Sequence, residues 1–232
     1  MKALLSDISQ SVLNIVYPIY CQGCGIKLAY NNKLYLCGGC LKNIKFNSPP
    51  FCIRCGRTLK NFDNIETVCP SCVGKKFYFD RAWQSCEYDG LTKDLIHNFK
   101  YGKKIFLTDL FAYLLCDFIK VNIDYKGIDL ITSVPMSKKG LSKRGFNQAS
   151  LIAEGVSKVL HIAFSKNMLK KTKDTKQQVN LKKEERFINI KDAFSAVETA
   201  DIKGKKILLV DDVFTTGATA DECSKVLKKA GA

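Results

Sequence analysis

The chain has 232 residues, enough for one large domain or two small ones around a sizeable core. Its hydrophobic (46%) and charged (25%) fractions are those of a soluble globular chain. No apolar run approaches the roughly 20 residues of a membrane-spanning helix, which excludes a membrane span. The formal charge of +15 points to anionic partners, either nucleic acid or phosphorylated small molecules.

Residues 1–20 open the chain. Leu4, Leu5, Ile8, Val12, Ile15 and Val16 recur at helical spacing, but Ser6, Asp7, Ser9 and Gln10 interrupt them. A signal peptide needs an unbroken apolar centre, so this stretch reads as an amphipathic helix.

From residue 21 to 72 the cysteines come only as C-x-x-C pairs: Cys21/Cys24, Cys37/Cys40, Cys52/Cys55 and Cys69/Cys72. Each knuckle turns two sulfurs towards one ion, and two knuckles complete a tetrahedron. Twelve residues separate the first two pairs and thirteen the last two, so the pattern reads as a double zinc ribbon over 21–78. The gap between the middle pairs is eleven residues, which leaves an interleaved arrangement open. The favoured assignment is sequential: Cys21, Cys24, Cys37 and Cys40 on one zinc, Cys52, Cys55, Cys69 and Cys72 on the other. Both ions would be structural, because four protein ligands leave no position for a reacting group. Eight thiolates on two ions would lower the net charge to about +11. Paired thiols without a signal peptide point to a reducing compartment, the cytoplasm. Cys86, Cys116 and Cys223 are isolated and read as small apolar core residues.

Beyond the ribbons, two helices are expected: one through Leu91, Leu95, Ile96 and Phe99, the next from Leu107 to Ile119. Phe99-Lys100-Tyr101-Gly102-Lys103-Lys104 between them reads as a basic turn with an exposed aromatic, suited to a phosphate or a stacked base, or as a solvated turn with Tyr101 half packed. Ile128 to Val134 reads as a buried strand ended by Pro135. A loop from Met136 to Gln148 follows, with cations at Lys138, Lys139, Lys143 and Arg144 and no acid. Ala149 to Leu160 is helical. Lys166 to Arg186, rich in Lys and Gln, reads as a mobile loop or as a solvated surface linker.

The last stretch carries most chemistry. Ile207-Leu208-Leu209-Val210 reads as a strand buried on both faces of a parallel sheet. Asp211 and Asp212 stand at its C-terminal end, where open α/β sheets bind ligands. Thr215-Thr216-Gly217-Ala218-Thr219 then leads into a helix from Ala220 to Ala230. Free N–H groups and hydroxyls suit a phosphate, while the carboxylates suit sugar hydroxyls or a metal shell. No Gly-Lys-Ser/Thr is present, so this is no Walker A loop; a Walker B-like strand is the other reading. His97 and His161 lie in no motif and receive no role.

The order of hydrophobic run, acid pair and Thr-Thr-Gly-x-Thr loop resembles type I phosphoribosyltransferases. That resemblance implies that Asp211 and Asp212 hold the ribose of phosphoribosyl pyrophosphate (PRPP), bound with Mg²⁺. It implies that Thr215, Thr216, Gly217, Ala218 and Thr219 wrap the 5′-phosphate; the cation-only loop at a strand end beside this site suits pyrophosphate or DNA phosphate through Lys138, Lys139, Lys143 and Arg144. Arg144-Gly145-Phe146-Asn147-Gln148, Phe99-Lys100-Tyr101, and Gln178, Arg186, Asn189 and Ala193-Phe194 behind a ribbon front end resemble the ComF family of late-competence proteins. The expected fold is α/β, a type I phosphoribosyltransferase-like parallel sheet (79–232) with an N-terminal double zinc ribbon. The resemblance further implies a strand after the last helix that the chain, ending at Gly231-Ala232, does not reach. The implied function is DNA uptake, with single-stranded DNA, PRPP and DNA-uptake machinery proteins as partners. The other class is an enzyme that transfers phosphoribosyl to a small acceptor.

Overall fold

A computed structural model describes residues 18–59, 67–175, 182–197 and 202–232. The expected N-terminal helix therefore lies almost wholly outside the described residues. So do Gln178 and the middle of the expected mobile loop. Ile19–Tyr20, at the end of the first stretch, form strand β1, paired antiparallel with β2 (Lys27–Leu28).

The first ribbon holds α1 (Gly38–Lys42), which starts on the second knuckle with Cys37 as its N-cap. α2 (Gly90–Tyr101) buries Leu95, Ile96 and Phe99, the expected apolar stripe, and ends at Gly102. Phe99, Lys100 and Tyr101 are thus the last turn of a helix and not a free turn, because fully buried Phe99 anchors them to the core. α3 (Thr108–Asn122) buries seven side chains, Leu110 and Ile119 among them. It crosses α5 (Gln148–Leu160) closely: a methyl on Gly155 would stand 2.7 Å from Ala112 Cβ.

The basic segment expected as a loop contains a helix, α4 (Lys138–Arg144). Ser137 caps it by accepting from Gly140 N at 3.1 Å, and Gly145 ends it in the left-handed region. No α4 residue is buried, so the helix leaves no hydrophobic periodicity to read.

Three parallel strands form the sheet, in the order β4 (Ala163–Phe164), β3 (Leu130–Ser133), β7 (Ile207–Val210). Side chains of β7 alternate between two cores. Leu208 and Val210 join the core shared with α2, α3 and α5; Ile207 and Leu209 pack on the core of α7 (Ala218–Lys229). Of the four, Val210 alone is buried, because β7 pairs on one side alone among the described residues. β5 (Leu169–Lys171) and β6 (Phe194–Ala196) pair antiparallel, and α6 (Lys183–Ile190) lies between them in sequence. The segment expected as one loop is thus ordered at both ends. Met168 and Leu169, at 1% and 3% exposure, pin β5 to Ile190 and Phe194. Two apolar residues within a run of cations were too few to show as a pattern.

The ribbons are continuous with this body. Cys21, Leu28, Leu36, Cys40 and Ile44 belong to the main core. The second ribbon's cysteines form their own cluster, against which Phe77 and Phe214 pack. Among the described residues, no helix is long and apolar enough to cross a membrane.

Candidate functional site

The eight paired cysteines form two groups, in the sequential assignment: Cys21, Cys24, Cys37 and Cys40, then Cys52, Cys55, Cys69 and Cys72. Within each group all four sulfurs lie within 4.8 Å of one another. Cys24 and Cys37 Sγ are 3.7 Å apart, as are Cys55 and Cys69. A tetrahedron with Zn–S bonds of about 2.3 Å has edges of about 3.8 Å, so the sets fit zinc. Backbone N–H groups of Gly23 and Cys37 donate to Cys21 Sγ, at 3.4 and 3.3 Å, and Cys69 N donates to Cys52 Sγ at 3.3 Å. Such donors stabilise thiolates, the form that binds metal.

The main cleft, about 760 Å³, opens at the C-terminal ends of β3 and β7. It gathers Asp211, Asp212, Thr215, Thr219, Lys139, Lys143 and Arg144 from the sequence-derived candidates. Lys138, Thr216, Gly217 and Ala218 do not line it; Gly217 and Thr216 shape the loop from behind. Gly217 has φ +84°, in the region glycine alone enters without strain, and Thr216 Oγ1 accepts from Ala218 N at 3.4 Å.

Asp211 sits on the cleft floor, enclosed by protein except where the cleft opens. That enclosure, reinforced by the adjacent Asp212 charge, pushes its pKa up to about 7. Asp212 N donates to Asp211 Oδ1 at 2.8 Å, and Lys100 Nζ stands 2.7 Å from Asp212 Oδ1. Both partners of that ion pair are largely buried, at 16% and 14% exposure. Lys100 reaches the acid pair because α2 ends directly beside it.

Sequence reasoning missed the acidic partner of Lys100, and it missed Lys171 altogether. Lys171 lies opposite Phe194 in the β5–β6 pair and lines the cleft, with Nζ 2.8 Å from Thr175 Oγ1. Burial lowers its pKa below the usual lysine range, although nearby carboxylates oppose the shift. Arg186, from α6, also lines the cleft. With Lys93, seven cations therefore face three acids, Asp174, Asp211 and Asp212. The cleft can hold a ligand with several negative charges and a polar, hydroxyl-bearing centre.

At the rim, Arg144 is held from two sides. It donates to Gln148 Oε1 at 3.3 Å and to Tyr101 Oη at 3.4 Å, with its guanidinium 5.1 Å from the Tyr101 ring. Tyr101 remains 49% exposed, and His97 packs on it at 4.8 Å between ring centroids.

Residues 12–76 match the model of the double zinc ribbon domain. Over 217 residues the chain is 33% identical to competence protein F of Haemophilus influenzae, covering 92% of this chain and 91% of that protein. The chain belongs to the ComF family. DNA utilization protein YhgH of Escherichia coli K12 is 27% identical to this ComF-family chain over 214 residues, 85% of this chain and 92% of the relative. Competence protein ComFC of Streptococcus pneumoniae is 26% identical over 223 residues, 86% of this chain and 95% of the relative. No solved structure matches this ComF-family chain significantly.

Proposed function

We propose that this protein takes part in DNA uptake or utilization, that its main cleft binds PRPP, and that the cationic rim binds single-stranded DNA. One observation carries the cleft assignment: an acid pair at the end of a parallel strand, followed by a Thr/Gly loop into a helix and ringed by seven cations. Asp211 and Asp212 accept the ribose 2′- and 3′-hydroxyls. Thr215 and Thr219 hydroxyls and the N–H groups entering α7 hold the 5′-phosphate. Lys139, Lys143 and Arg144 face the pyrophosphate, with Lys171 and Arg186 across the cleft. Mg²⁺, carried in with PRPP, would neutralise pyrophosphate charge, and Asp211 and Asp212 are the carboxylates that would hold it. Eight cysteines in zinc-binding sets support a reducing compartment, the cytoplasm, and the relatives' names, competence and DNA utilization, support a role in handling DNA.

The DNA assignment rests on Tyr101 and Arg144, an exposed ring and a tethered cation at the mouth of a cationic cleft. The other reading is an active phosphoribosyltransferase, in which a small acceptor displaces pyrophosphate from C1′ while the cleft stabilises the separating charges.

Titration calorimetry with PRPP, with and without Mg²⁺, tests the cleft. Binding should weaken about 10- to 150-fold in Asp212→Asn, corresponding to loss of ~1.5–3 kcal/mol of charge-assisted hydrogen bonding. A folded wild-type protein giving no PRPP heat would overturn the assignment. Pyrophosphate release with a panel of nucleobases decides between the two classes.

A further inference from the structure

Behind the acid pair lies a second cavity of about 110 Å³. It shares Tyr88, Asp211, Asp212 and Val213 with the main cleft, so the two compartments meet at the carboxylates. Its walls include Trp83, Phe111, Phe214, Leu114, Leu115 and Ile152. Thr92 also lines it, from the first turn of α2. Thr92 is only 5% exposed, and its hydroxyl has no hydrogen-bond partner among the described residues. A buried hydroxyl left unpaired is unfavourable, so it marks a position where an incoming polar atom would be stabilised.

We infer that this compartment takes a single planar ring, and that the ligand spanning both compartments is a nucleotide with a one-ring base. The inference rests on the reading of the main cleft as a phosphoribosyl site. Three features select the ring. The walls are aromatic and aliphatic, which favours a flat apolar face. The volume is somewhat below the roughly 150 Å³ that encloses benzene, so one ring fits with its edge in the shared mouth and a fused pair does not. The polar requirement is small: the Gln84 side-chain amide already donates to Cys55 O at 2.9 Å, and beside the Ser85 and Tyr88 hydroxyls Thr92 supplies the buried unpaired one that can meet a ring carbonyl or nitrogen. The connection to the sugar follows from covalent geometry. If the carboxylates hold the 2′- and 3′-hydroxyls, C1′ is one bond from C2′, and its substituent emerges beside the acid pair.

The test compares ribose 5-phosphate, uridine 5′-monophosphate and adenosine 5′-monophosphate by calorimetry on the zinc-loaded full chain. Free 5-fluorouracil followed by ¹⁹F line broadening reports the small compartment independently. Uridine monophosphate should bind at least tenfold tighter than ribose 5-phosphate, and adenosine monophosphate no tighter than the sugar phosphate. Thr92→Val should reduce the ring's advantage several-fold. Leu115→Phe, placed at a half-buried wall position, should abolish both the advantage and the 5-fluorouracil broadening while leaving ribose 5-phosphate affinity unchanged; that unchanged affinity also certifies the fold. Equal affinity for uridine monophosphate and ribose 5-phosphate, with no fluorine broadening, would overturn the inference while the cleft assignment stands. Fluorouracil broadening that Leu115→Phe removes, without ribose 5-phosphate or PRPP binding, would support the compartment and overturn the cleft reading. An adenine nucleotide binding as tightly as the uridine one also overturns the one-ring inference.

Discussion

Asp211 makes the cleft sensitive to pH. With its pKa at about 7, the carboxyl is largely protonated at pH 6 and ionised at pH 8. A ribose hydroxyl is held best by the carboxylate, so PRPP affinity should rise between pH 6 and 8, and binding at pH 6 should release a proton; calorimetry in buffers of different ionisation heat measures both. The linkage for folding has the opposite sense. Because the folded pKa is raised above the unfolded value, Asp211's contribution to stability is fully present below about pH 4 and lost as pH rises through about 7. Asp211→Asn should therefore stabilise the fold at pH 8 by on the order of 1–2 kcal/mol, after allowing for water entering through the cleft, with little gain at pH 4. Urea unfolding at the two pH values checks this. Lys100 and Asp212 form the complementary case. Removing Lys100 leaves two adjacent carboxylates with their nearest cation gone, so Lys100→Met should cost about 2–3 kcal/mol. Adding Asp212→Asn should restore part of that loss, and the double-mutant cycle gives the coupling.

The Thr215–Thr219 loop and the second ribbon act as one piece. Phe214, immediately before the loop, packs on the cluster of Cys52, Cys55, Cys69 and Cys72 and meets Phe79 edge-on at 6.1 Å. Tyr78 N donates to Asp221 in α7, and Lys228 of the same helix pairs with Asp80 at 2.6 Å. Phe214→Ala should therefore accelerate zinc loss from the second ribbon alone, seen as one of two metal equivalents becoming labile to a chromogenic chelator. Simultaneous release of both would contradict it. Gly217→Ala tests the same junction from the loop side. An added methyl would be held at positive φ and 3.0 Å from Phe214 Cζ, which should cost about 1–2 kcal/mol and weaken ribose 5-phosphate binding. At this scale the sequence was readable wherever a buried stripe was long enough. The stripes of α2, α3 and α5 were evident from Leu95, Leu110 and Ile152. α4 was not, since its helix is set by the Ser137 cap and Gly145 without any buried face.

For the whole molecule, the first ribbon shares a core with α2 and the second packs against Phe214, just before the Thr215–Thr219 loop, so each metal site adjoins an element that lines the cleft. Elemental analysis of protein purified under reducing conditions should return two zinc ions per chain. Cys21→Ser should empty the first site and spare the second, in keeping with the sequential grouping. The net positive charge should also show in DNA binding. Affinity for single-stranded DNA should fall steeply with salt, by a logarithmic slope of about −0.7 per phosphate neutralised. Changing Lys138, Lys139, Lys143 and Arg144 together to Ala should flatten that slope. Tyr101→Ala should lower affinity while leaving the slope nearly unchanged if its ring stacks on a base. A salt-independent affinity would remove the electrostatic basis of the DNA assignment.

By itself the sequence determined whatever is encoded within a short span. Two knuckles about a dozen residues apart specify a four-cysteine metal site, because the spacing is the geometry. The acid pair and its loop occupy adjacent positions at a strand end, so Asp211 to Thr219 could be named before any fold was known. Only the tertiary structure decided what those residues face. Lys100 meets Asp212 across 112 positions, Tyr78 meets Asp221 across 143, and Lys171 enters the cleft through its pairing with β6. Such contacts follow from how α2, β5 and the second ribbon pack on shared cores. No local pattern records which distant charge or ring will complete a site.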